Sequence, residues 1–110
     1  MILNIIIFKN KVIDAFTTPV YDDHNPSDAA IQLKRSLKNA KASEDSKLKE
    51  SIVPYRFLDM YHFGTFDDST GKFELKKAPV KLLDCTEVLG LEDELKSVLE
   101  DRQEESTSSM

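Results

Sequence analysis

No tryptophan occurs in the 110 residues, Cys85 is the single cysteine, and there are only three glycines and four prolines. One thiol cannot close an internal disulfide, which fits a reducing cytoplasm. The scarcity of glycine leaves no Gly-rich phosphate loop. His24 and His62 are the only histidines, and nothing in their spacing makes either a base for Cys85. Cys85 therefore reads as a small apolar residue near an apolar stretch. Without a Cys/His cluster, no metal, no cofactor and no catalytic residue is expected. Long apolar runs are also missing. The opening "MILNIIIF" is too short for a membrane span and lacks the basic start of a signal peptide. It reads as a buried strand, and no membrane partner is expected.

What is present describes an ordinary soluble domain: 40% hydrophobic residues, 32% charged residues and a mean hydropathy of −0.39. A chain of this length makes one domain with a modest core. The net charge of −5 is unevenly spread. The stretch Lys34–Lys49 is net basic, with Lys34, Arg35, Lys38 and Lys41 at its head. From Asp84 to Glu105 acids dominate, against Lys96 and Arg102 alone. A basic centre and an acidic end suggest polyanion binding or self-screening, and each run by itself also fits a solvated face.

The stretch "YHFGTFDDSTGKFEL", residues 61–75, joins two adjacent acids to a glycine. An EF-hand loop needs glycine at its sixth position and an acid at its twelfth. Counting from Asp67, the sixth residue is Lys72; counting from Asp68, glycine arrives fourth. Neither register fits calcium. Alternation of Tyr61, Phe63 and Thr65 with His62, Gly64 and Phe66 has period two, and Phe73 and Leu75 resume it. The segment is expected to be a hairpin closed by Asp, Ser and Gly, with Gly71 at positive φ.

Along the chain, residues 2–8 and 12–17 are expected to pair as strands, with Pro19 ending the second. Ser27 is the expected N-cap of a helix whose buried stripe is Ala30, Leu33, Leu37 and Ala40. Lys34, Arg35, Lys38 and Lys41 lie off that stripe. They are the candidate phosphate-binding residues, and helix solvation accounts for them equally. Asp22, Asp23 and His24 before the helix read as a turn or cap. Residues 41–51 either extend the helix or link it onward. After Pro54 a central strand is expected, with Tyr55, Phe57, Asp59, Tyr61 and Phe63 on one side. Asp59 breaks the pattern and requires a partner or a strand end. Pro79 is followed by a short extended "VKLLD". Gly90 is the expected N-cap of an acidic helix whose apolar face, Leu91, Leu95 and Val98, is the candidate partner-binding surface.

The expected architecture is α+β: a small antiparallel sheet of about four strands with one packed helix, plus an acidic C-terminal helix. The expected organisation is a domain over 1–84, the acidic helical segment over 85–103 and a disordered tail over 104–110.

The stretch "FGTFDDSTGKFELKKAP" resembles the signature of the small non-structural protein of gokushovirus-type microviruses, which are single-stranded DNA phages. The matching residues are Gly64, Phe66, Asp67, Asp68, Thr70, Gly71, Lys72, Phe73 and Pro79. The preceding order of apolar strand, "SDAAIQL" helix start and aromatic strand is also similar, so the resemblance covers roughly 2–79. Thr65 stands where that family often has glutamate, the segment 41–53 is long, and residues beyond Asp84 fall outside the pattern. The resemblance implies a non-enzymatic role late in infection, in the host cytoplasm. It would link the replication complex on replicative-form DNA to the procapsid and to single-strand synthesis. The implied partners are the viral replication initiator or procapsid proteins, with DNA contacted through phosphates and a second copy of the chain as a further candidate. Single-stranded DNA binding is the alternative, with Tyr55, Phe57 and Tyr61 either stacking bases or filling the core. An internal scaffolding role fits the strands less well, and an enzyme fits least.

Overall fold

Ile2–Asn10 form β1, an inner strand of a computed structural model that describes residues 1–108, with side chains as far as Arg102. The isoleucine run makes it a strand, and it is flanked on both edges. Leu58–Asp67 form β4, antiparallel to β1 from Ile2 opposite Asp67 to Asn10 opposite Leu58. On its other edge β1 carries two short strands in succession. These are β2, Ala15–Phe16, opposite Lys9 and Asn10, and β3, Val20–Asp22, opposite Asn4–Ile6. Lys72–Asp84 form β5, the outer strand beyond β4. The fold is α+β with a curled antiparallel sheet, four strands across, whose outermost place on one side is shared by β2 and β3.

One sheet face is covered. Strand alternation directs Ile6, Phe8, Met60 and Leu83 towards α1, Pro26–Ala42. Its stripe of Ala30, Leu33, Leu37 and Ala40 packs inward at the expected spacing. The cap is Asn25 rather than Ser27. The Asn25 side chain accepts from the Ser27 backbone N–H at 2.8 Å, and Pro26 fills the first turn, where its missing N–H costs nothing. Residues 41–51 are divided, with Lys41 and Ala42 extending α1 and a short break leading to a second helix. α1 stops at Ala42, and a separate short helix, α2, Ser46–Ser51, follows with Asp45 as its cap.

Four further expectations are corrected. The strand at 12–17 shrinks to Ala15–Phe16, because the Asn10 side chain accepts from the backbone N–H groups of Val12 and Ile13 and turns the chain there. The central strand starts at Leu58 rather than Tyr55, since Pro54 nucleates a 3-10 turn over Val53–Tyr55. Tyr55 instead packs edge-on to Phe8, their ring centroids 5.9 Å apart. Pro79 does not end a strand. His62 pairs with Val80 and Gly64 with Leu75, so Lys76–Pro79 bulge out opposite Phe63, and a proline there removes no ladder bond. Gly90 ends a helix rather than starting one. It is the left-handed C-cap of α3, Cys85–Leu89.

α3 belongs to the core, where Cys85 and Leu89 pack on Leu37. The acidic segment therefore begins after Gly90, as α4, Glu92–Ser108. α4 takes in residues 104–108 of the tail expected to be disordered, and 109–110 lie outside the described residues. Cys85 is completely buried, and burial pushes its thiol up to about 12, so it is inert packing. No described helix is long and apolar enough to cross a membrane.

The two hairpin glycines differ. Gly71 has φ 74° with open space around its missing Cβ, whereas at Gly64, φ 149°, a Cβ would stand 2.1 Å from the Glu74 carbonyl oxygen. Gly71→Ala is expected to cost about 1 kcal/mol from backbone strain alone. Gly64→Ala should cost on the order of 3 kcal/mol or more, because β5 must move. Urea unfolding of both variants checks the order; equal losses would contradict it.

Candidate functional site

Among the described residues no helix covers the second sheet face. Leu3, Ile5, Ile7 and Lys9 alternate onto it from β1, and their register partners follow them. Phe16 meets Tyr61 and Phe63 edge-on, with ring centroids 6.1 and 5.4 Å away. Phe66 sits between Tyr21, 5.5 Å away, and Phe73, 4.6 Å away. Two aromatic groups thus lie side by side on one surface. Between them Ile5 is 4% exposed, while Phe16, Tyr21 and Phe73 remain 52%, 46% and 52% exposed. Cations sit among the rings. Lys9 Nζ is 5.7 Å from the Phe16 centroid and Lys81 is opposite Tyr61, whereas Lys76, at the start of the β5 bulge, turns its charge toward His62 on the helix side.

At one end of this face lies a charged knot. Asp59, 5% exposed, is approached by Lys11 at 3.2 Å and Lys81 at 3.4 Å. Asp84, its register partner, takes the same lysines at 2.8 and 3.6 Å. Asp84 also accepts from the Glu87 N–H at 3.1 Å, capping α3. Burial alone would raise the Asp84 carboxyl, but the Lys11 hydrogen bond, the Glu87 N–H and both ammonium charges hold it below its ordinary value. Burial likewise opposes the charge on Lys81, and the two carboxylates outweigh it and raise its pKa. Asp59 has the partner its position in the strand demanded.

The four candidate cations of α1 do not form one surface. Lys41 donates to the Leu89 carbonyl at 2.5 Å, at the negative end of α3. Lys34 and Lys38 line a cleft with Leu83, Asp84 and Glu87. Arg35 is on the opposite side of the helix from the buried stripe and is exposed.

Leu91 joins the core around Leu37, and Leu95 and Val98 are half-buried. Val98 shares a cleft with Arg56 and Phe57, and Arg102 donates to the Val12 carbonyl at 2.6 Å. α4 therefore docks on its own domain, at the end of the sheet. Among the described residues no ion pair joins it to α1.

Asp22, Asp23 and His24 bring their ligand-type atoms within 4.8 Å of one another. Asp22 is already engaged by the His24 backbone N–H and ring nitrogen, each at 2.7 Å. The Asp22 hydrogen bond, then the charges of Asp22 and Asp23, raises the His24 pKa. Phe16, Tyr21, Phe66 and Phe73 are the surface residues that sequence reading missed. Their signal was the period-two pattern of the hairpin carried across to neighbouring strands.

Residues 3–88 match the family described as phage ORF5 protein. The chain belongs to this family. No curated protein and no solved structure matches it significantly. In this phage ORF5 protein the matched span takes in nearly all of the sheet and α1 to α3, with the uncovered aromatic face. α4 lies beyond it.

Lys11→Met is expected to destabilise the fold by about 2 kcal/mol, because it removes the better-placed cation from two partly buried carboxylates. The stability Asp84 contributes is complete above its ordinary value of 3.8 and is lost as pH falls through its lowered folded value. Asp84→Asn should therefore be less stable than the native chain at neutral pH and lose less between about pH 4 and 2. Thermal melts across that range check this; parallel pH profiles would contradict it.

Proposed function

We propose that this phage protein acts without chemistry of its own, late in infection in the host cytoplasm, during packaging of the viral genome. It ties the replication complex on replicative-form DNA to the procapsid as single strands are made. Membership of the phage ORF5 family supports the setting. The resemblance of Gly64–Pro79 to the gokushovirus-type signature supports the packaging step.

The observation that carries a binding role is the sheet face without helix cover, where Phe16, Tyr21 and Phe73 are each about half exposed on one surface. The ionisable groups point the same way. Asp59 and Asp84 are engaged by Lys11 and Lys81, and Cys85 is sealed in the core. His62 faces the Asn4 side chain at 3.1 Å, and burial lowers its pKa. A second reading, single-stranded DNA binding, is favoured by the lysines set among the exposed rings.

Gel shifts with duplex and single-stranded DNA, with and without the replication initiator, test the proposal. A shift strengthened by the initiator, or capture of initiator or procapsid protein, is expected. A protein that shifts neither DNA and captures neither partner would falsify it.

A further inference from the structure

We propose that single-stranded DNA lies across the uncovered sheet face, its bases stacking on Phe16, Tyr21 and Phe73 and its phosphates meeting Lys9 and Lys77. The proposal rests on the reading above that this protein acts on viral DNA, and it names the surface.

The geometry supplies both halves of such a site. Phe16, Tyr21 and Phe73 are each about half exposed. Each is braced by a ring on β4: Phe16 by Tyr61 and Phe63, the other two by Phe66. Braced rings lose little side-chain entropy when a base stacks on them, and stacking asks nothing of base identity. On β5, Leu75 faces this side opposite Gly64, so Lys77 alternates onto it while Lys76 turns toward His62. Neither forms an ion pair among the described residues. Lys9, over Phe16, is held to Asp14 at 2.9 Å, but that carboxylate is 82% exposed, so exchange for a phosphate costs little.

Other occupants fit less well. The centre of a protein interface is depleted in lysine, whereas here lysines sit beside the rings. A second copy packed about a twofold would bring its own Lys9 and Lys77 near the same cations. Duplex DNA offers phosphates but keeps its base faces stacked inside. Helix α1 has phosphate-type cations, yet it lies behind the sheet, and Lys41 is already bonded to α3.

The test is fluorescence anisotropy of the full chain with labelled oligo(dT) of about 16 nucleotides. Phe16→Thr with Phe73→Thr should weaken binding at least tenfold. Circular dichroism should show that fold intact, since both rings are half exposed. Lys77→Gln should flatten the salt dependence by about 0.7 in slope. Lys34→Gln, Arg35→Gln and Lys38→Gln together should change nothing.

The chain has no tryptophan, so oligo(dT) should quench tyrosine emission directly. Tyr21→Phe should reduce that quench while affinity holds. Oligo(dT) bound equally by the native chain and the double Thr variant overturns the site but leaves DNA binding standing. Loss confined to the α1 variant overturns it in favour of the helix. A native chain that binds no oligo(dT) yet captures the initiator overturns the site while the packaging reading survives.

Discussion

A carboxylate on an inner strand at the exposure of Asp59 can stay charged only if cations are brought to it, because desolvation without partners costs several kcal/mol. Lys11 and Lys81 come from opposite sides, one from the turn after β1 and one from β5. Each has a structural consequence. The chain after β1 must fold tightly enough to deliver Lys11, and the Lys11 N–H closes onto the Phe57 carbonyl at 2.9 Å. The end of β5 must lie beside the start of β4, which places Asp84 on the same lysines. Asp84 in turn caps α3, so Cys85 and Leu89 arrive beneath Leu37. The closed end of the sheet and the second half of the core both follow from neutralising one buried charge.

The two faces of the sheet are finished differently. α1 approaches one face through alanines, Ala29, Ala30 and Ala40, which permit close packing with few large side chains. No other helix crosses to the far face, so its shielding comes from curl and from rings. The bulge around Phe63 bends β4 there, and Gly64 lets the β5 backbone approach closer than any side chain would allow. Ile5 is buried by this curl with no helix above it. Aromatic residues perform this task well because each covers much area from few positions, and the cost is that their outer surfaces meet water.

Much of this was legible in the residues where one local rule acted alone. The stripe of α1, the strand of isoleucines and the Gly71 turn each follow from a single periodicity or backbone demand. Misreadings arose where two rules competed. Pro79 argued for a break, and the bulge absorbed it inside one strand. Gly90 suits either end of a helix, and the short α3 before it carries too few residues to show a period. Tyr55 and Phe57 continued an alternation on paper, but Pro54 imposed a turn. The uncovered face was half visible. Tyr61 and Phe63 shared a side in the sequence, while Phe16, Tyr21 and Phe73 join them only through strand pairing, which is non-local. The basic cluster of α1 looked like one site because helical spacing says nothing of what a neighbouring helix end will claim.

Charge placement carries this one step further. After Gly90 acids outnumber bases seven to two, which accounts for the whole net charge of −5, so residues 1–90 are neutral. α4 holds this excess at the sheet end near Arg56 and Val12, not over the basic side of α1. The bulge with Lys76 and Lys77 stands opposite Phe63, four residues along β4 from Asp59. At about 3.3 Å per residue that is roughly 13 Å, beyond a Debye length of about 10 Å at 0.1 M salt. Charge at the Asp59 knot is therefore largely screened from the bulge, and the acids of α4 lie at the knot's end of the sheet. On the reading proposed above, single-stranded DNA on this face would meet the exposed rings away from that acidic end.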